Sequence, residues 1–273
     1  MTIMFDLGPA TDAFLPFGQS TPYADAVGGC GGQVFMAQLS CGQAQVVQRG
    51  RLRLISRGPV WDAGSTDRDR RVALRRLARW PGLTLATPES DLRGPGLIPL
   101  VTPMHHAIWD LSGDLRAGLR PNWRGHLASA VRRGVRASKG NAATLAHLVA
   151  CDAAQGKVRR YLGYTPAFSM ALPVTALRLW EWRHAGQIGA AMAFVVHGTS
   201  ASYHLSWAGG DARAQAIHNL MLWRAAMALR DEGVRWLDLG SVNDEEAPGL
   251  ASFKLGTGAA LRRLGPTLLV LPG

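Results

Sequence analysis

Lys254 closes the run Gly249-Leu250-Ala251-Ser252-Phe253-Lys254, which follows shortly after Asp238-Leu239-Gly240. An ammonium beside a carbonyl stabilises the negative charge that gathers on oxygen as the carbon becomes tetrahedral. A carboxylate such as Asp238 can orient an incoming ammonium or accept its proton. Together these are the requirements of acyl transfer to an amine. Each residue also has a plainer reading, a surface lysine in one case and a carboxylate capping the next turn in the other.

Other residues add to this set. Phe253 would line a pocket or stack on a terminal adenosine, as aromatics do for single-stranded nucleic acid, or fill a core position. Tyr203 and His204 are neighbours on an expected strand, so they should point to opposite faces and at most one should meet a cleft. Arg213, Asn219 and Arg224 lie at or near the start of a long helix, where the dipole favours phosphate. Arg224 is two turns in and reads as a solvated-face residue in preference to a phosphate contact. Arg124, Arg132, Arg133 and Arg136 form a basic segment suited to a phosphate backbone or to a solvated helix face. His105 and His106 are adjacent on a strand and point apart, so no shared metal is expected there.

The chain has 273 residues, 47% hydrophobic and 18% charged, a globular balance that excludes wholesale disorder. Its net charge of +11 favours a polyanionic partner: RNA, a phosphorylated substrate or an anionic membrane face, the last giving peripheral association only. Apolar runs are broken by Arg, His or Gly before they reach the roughly 20 residues of a spanning helix, and Asp6 stands where a secretory signal would carry a cation. A cytoplasmic protein is expected. Cys30, Cys41 and Cys151 lack ligand spacing and read as free thiols.

The elements that must position these residues follow from hydrophobic period. Strands are expected at 33–39, 52–56, 83–86, 107–111, 174–183, 187–197, 200–208, 235–239 and 267–271, with a glycine turn at Gly42 and a Pro- and Gly-rich loop over 88–103. Helices are expected at 22–26, 67–80, 122–135, 142–154 and 216–232, the last with Ile217, Leu220, Met221, Trp223, Ala226, Met227 and Leu229 facing inward. This order predicts an α/β (α+β) protein of mixed sheets flanked by helices.

The ordered series GQIGAAMAFVV, ASYHLSWAGG, HNLMLWRAAMALRDEG, VRWLDLGSV and GLASFKLGTG resembles the C-terminal half of the FemAB family of aminoacyltransferases. The family's "DLG" is matched by Asp238-Leu239-Gly240, and its "GL..FK..FG" by Gly249, Leu250, Phe253, Lys254 and Gly256, with Leu255 and Thr257 departing from the pattern. Gln19-Ser20 with Tyr23 is similar to the family's "QS..Y", and Arg57-Gly58-Pro59-Val60 to its "RGPV" turn. The basic segment 122–135 is similar to the one that joins the family's two halves.

The resemblance implies two tandem GNAT-like (N-acetyltransferase) domains, here 1–139 and 140–273, and an active-site lysine at Lys254. It implies an acyl- or aminoacyltransferase with no metal or resident cofactor, whose co-substrate is aminoacyl-tRNA or acyl-CoA and whose acceptor is an amine of a cell-envelope precursor or related small molecule. A CoA-binding GNAT carries a glycine-rich loop before its long helix, whose N–H groups face pyrophosphate. Asp211-Ala212-Arg213-Ala214-Gln215-Ala216 lacks those glycines, which favours aminoacyl-tRNA. Two alternatives remain: acyl-CoA-dependent N-acylation of a polysaccharide or lipid precursor, and an inactive RNA-binding or scaffold relative.

Overall fold

The computed structural model describes residues 13–159 and 163–273, so Asp6 lies outside the described residues. In chain order, α1 (Thr21–Gly29) precedes β1 (Gln33–Leu39), β2 (Gly42–Arg49), β3 (Leu52–Ile55) and β4 (Val60–Trp61). Next come α2 (Asp67–Leu77), β5 (Leu83–Ala86), β6 (Leu97–Val101), β7 (His105–Asp110), α3 (Leu115–Gly118), α4 (Pro121–Arg132) and β8 (Ser138–Lys139). Then follow α5 (Ala142–Arg159), α6 (Pro166–Met170), β9 (Leu177–His184), β10 (Gln187–His197) and β11 (Ser200–Ala208). The chain closes with α7 (Gly210–Ala214), α8 (Ile217–Asp231), β12 (Trp236–Val242), α9 (Pro248–Leu255), β13 (Ala260–Arg263) and β14 (Thr267–Val270).

Two mixed sheets result, with helices against them, as the sequence predicts. The first runs β1-β2-β3-β5-β14-β6 with β4 on β2; the second runs β13-β7-β12-β11-β10-β9-β8. Parallel pairing occurs at β3/β5 and β11/β12. The sheets do not part the chain at 139/140: β7, β8 and α4 belong with the second sheet, and β14 returns to the first.

The second sheet is covered on both faces. Along β10, Ala190, Met192 and Phe194 enter a core with α4 and α8, while Ala191, Ala193 and Val195 enter another with α1, α5 and α6. A strand buried on both sides has no polar face to keep, hence its nearly unbroken apolar run. On α8, Leu222 and Ala225 are buried as well as most of the expected face, while Trp223 and Met227 are only partly covered. The first sheet packs on α2 through Leu74 and Leu77.

Two expectations change, and one segment given no element in the sequence folds as a helix. Gly42 opens β2, where Ala44 and Val46 turn inward between glutamines, so the glycine turn is the start of a strand. The expected loop 88–103 contains β6, a sheet edge, the place where Pro99, with no N–H to donate, is tolerated. The segment carrying Lys254 is helical, α9, with Pro248 in its first turn.

Candidate active site

β11 and β12 run parallel for only three registered pairs, ending at Ser202 opposite Asp238. Beyond that pair the strands part, and a cavity of about 450 Å3 opens where the second sheet meets the first. Its wall includes Arg57, His106, Tyr203, His204, Asp238 and Gly240.

Asp238 is the hub. It is buried, 3% exposed, and its Oδ2 accepts from Arg57 Nη1 at 2.7 Å. Oδ1 accepts from the Gly240 N–H at 2.7 Å and lies 3.0 Å from His106 Nδ1. Burial opposes its charge, but the His106 and Arg57 contacts outweigh that and hold the carboxyl well below the usual range. Arg57 also donates through Nε to Glu89, and its Nη1 lies 2.8 Å from His106 Nδ1. Its Nη2 is buried without a hydrogen-bond partner among the described residues. Although burial opposes the charged guanidinium, Asp238 and Glu89 keep it fully protonated.

Local structure fixes these groups. Arg57 has a φ of 52°, unusual for a non-glycine residue, in the turn that leads to the cis Gly58-Pro59 bond. The buried Gln19 amide braces that turn: Nε2 donates to the Ser56 carbonyl at 2.7 Å, and Oε1 accepts from the Gln45 N–H at 2.8 Å. The two N-terminal signatures read in the sequence therefore touch and aim Arg57. On the other side, β12 loses register against β7 between Asp238 and Ser241, with Gly240 at φ 81°, a conformation that favours glycine.

Lys254, 6% exposed, sits directly behind this irregularity. Its Nζ donates to the Ser241 carbonyl at 2.7 Å, and a side chain on Gly240 would begin 3.5 Å from it. Burial lowers its pKa to about 8, with the Asp238 charge acting in the opposite sense. Trp123 of α4 donates to the Phe253 carbonyl at 3.0 Å, and Gly256 leaves room for that indole, since a Cβ there would lie 2.6 Å from Trp123 Cδ1.

Tyr203 and His204 both line the cavity, contrary to simple alternation. Phe194 pairs with Tyr203 and Ala193 with Leu205, leaving His204 as the extra residue of a bulge. His204 Nε2 lies 2.9 Å from Ser169 Oγ, and burial pushes its pKa down to about 4. Tyr203 packs on Phe194, and burial raises its phenol to about 12.

Phe253 and Asn219 do not join this group. They line a second cavity, about 500 Å3, together with Arg120, Asn122, Trp123 and His126. Arg124, Arg132, Arg133, Arg136 and Arg213 are exposed. Arg133 Nη1 reaches the Ala214 carbonyl at 3.2 Å, which brings the end of the basic helix beside Arg213. Arg224 is exposed and donates to the Ala137 carbonyl at 3.3 Å. His106, Glu89 and the role of Arg57 escaped the sequence reading; a basic residue in a recognisable turn was the one signal available.

Two helix-flanked mixed sheets with a strand pair that parts after Asp238 are the architecture of an acyl-transferring protein of N-acetyltransferase type. The family model described as acetyltransferase (GNAT) domain matches residues 65–255, more than two thirds of the chain, and the chain belongs to that family. Among solved structures, that of FemX is 14% identical with a TM-score of 0.74, covering 94% of this chain and 92% of its own. The C-terminal domain of a putative lysylphosphatidylglycerol synthetase from Agrobacterium fabrum is 14% identical with a TM-score of 0.57, covering 93% and 89%. L-PGS from Bacillus licheniformis is 13% identical with a TM-score of 0.53, covering 90% and 86%. At these identities the likeness is one of fold. No curated protein matches the sequence significantly. Among the described residues, no helix is long and apolar enough to cross a membrane.

Proposed function

We propose that the protein transfers an aminoacyl group from aminoacyl-tRNA to an amine of a cell-envelope precursor or related small molecule in the cytoplasm, using the cavity between the two sheets. The observation that carries this reading is the buried Arg57–Asp238–His106 cluster beside Lys254, at the point where β11 and β12 part.

Asp238 is held ionised with both oxygens engaged, so it orients another group in preference to taking a proton itself. A proton on His106 Nδ1 shared with this carboxylate at 3.0 Å, in place of the Arg57 Nη1 contact at 2.8 Å, leaves the Nε2 lone pair as the proton acceptor. The acceptor amine attacks the ester carbonyl of the donor, forming the C–N bond as the carbonyl electrons move to oxygen. We assign the stabilisation of that oxyanion to the positive charge of Arg57, in the cavity wall, and of Lys254, held behind Gly240 and Ser241. His106 takes the proton lost by nitrogen and returns it to the ribose oxygen as the C–O bond breaks.

Support for a tRNA donor comes from the net charge of +11 and from the arginines of α4 running toward Arg213. Phe253 in the second cavity would stack on a terminal base. The five-residue α7 stands between β11 and α8, and α8 starts at the left-handed Ala216 without a glycine-rich turn, a poor cradle for pyrophosphate.

The test is transfer of label to a cell-extract amine fraction from a radiolabelled charged tRNA pool and, separately, from acetyl-CoA. Label should move from tRNA and not with Lys254→Ala. Label from acetyl-CoA alone would replace this donor, and transfer from neither would favour a binding protein.

A further inference from the structure

The edge strand β6 is unusually apolar for an exposed position. Leu97 is buried, but Leu100 and Val101 are 53% and 55% exposed, and Met104 beyond the strand is 54% exposed. Uncovered edge strands are normally blunted by charge. Here a trough of about 380 Å3 runs along one side of β6, walled by Leu97, Pro99, Leu100, Pro103, Pro266 and Leu268. Val101 and Thr102 line both this trough and the reactive cavity, so the two meet at the end of the strand.

The chemistry of the trough narrows its occupant. Arg93 is its one charged wall residue among those described, and it is held on both branches by Asp91, Nε to Oδ1 at 2.9 Å and Nη2 to Oδ2 at 2.8 Å. Pro99 removes an N–H from the middle of the edge, which disfavours an added peptide strand. What fits is a flexible apolar chain that asks for no hydrogen bonds, along a strand about 17 Å long.

We infer that the acceptor is an amphiphile, with its amine in the Asp238–His106 cavity and its alkyl chain in the β6 trough. This rests on the transferase reading for the fate of the amine but not for the binding of the chain. Binding of n-hexylamine and n-decylamine to the full chain, measured by isothermal titration without donor and below their self-association, tests it. Burying methylenes gains about two- to fourfold in affinity each in such a half-open site, so decylamine should bind at least about tenfold more tightly.

Leu100→Asp should reduce that preference to less than about threefold, since a charge in the wall removes the apolar gain. Ile98→Asp, on an exposed residue outside the trough wall, should preserve it. Absence of binding, equal affinities in the wild type, a preference that survives Leu100→Asp, or one lost equally in Ile98→Asp would each overturn the inference. So would a wild-type dimer, seen by sedimentation, that Leu100→Asp dissolves, since a second copy would then cover β6. If the chain preference holds while no label moves from charged tRNA, the donor reading falls and the trough stands.

Discussion

Arg57 donates to Asp238 at 2.7 Å across the junction of the two sheets, with side chains only 14% and 4% exposed. A buried pair of this kind contributes little over an apolar substitute, but removing one partner leaves a stranded charge. Arg57→Met should therefore lower stability by about 3–5 kcal/mol, measured by urea unfolding at neutral pH. A loss below about 1 kcal/mol would mean that water reaches Asp238 and screens it.

His106 and Asp238 should act as a unit. His106→Gln is expected to slow transfer by about 100-fold or more, with an unchanged circular dichroism spectrum. Asp238→Asn alone should slow it comparably, and the double variant should be little worse than either single one. Independent, multiplying losses would separate the two residues and remove the oriented-base account.

Acid should weaken the fold before it reaches the carboxylates. Burial holds His197 and His204 at about 4, against 6.5 when free. Between those values the unfolded chain binds protons that the folded chain does not, so stability falls as pH drops from about 6.5 toward 4. Asp238 is also depressed, but its deprotonated form is the charged one, so it keeps its contribution throughout that interval and loses it only at lower pH. Urea midpoints at pH 7 and pH 5 check this; His197→Gln should shrink the difference, and an unchanged difference would place the sensitivity elsewhere.

Much of this architecture is legible in the residues. β10 and β11 follow from apolar runs bounded by turns, and β5 from four residues between Pro81-Gly82 and Thr87. β2 and β6 are less legible, because glutamines occupy much of one and a proline interrupts the other. The site is harder still. Asp238 stands out at a strand end, but its partners converge from distant segments: Arg57 and His106 are 49 residues apart, His106 and Asp238 132 apart. His106 reads in the sequence only as half of an unpromising pair, since nothing local announces a carboxylate on the neighbouring strand. The bulge at His204 is equally silent, as register belongs to both strands.

The central claim is that a buried lysine cation stands behind the reacting carbonyl, and its pH dependence is the most direct measure. With Lys254 at about 8, the ammonium is present below that pH and lost above it, so the transfer rate should fall on an alkaline limb centred near 8. Lys254→Arg, charged at all working pH, should retain a reduced rate without that limb, and Lys254→Ala should lose about 100-fold or more. A limb that persists in Lys254→Arg, or an alanine variant that transfers at the wild-type rate, would contradict the account.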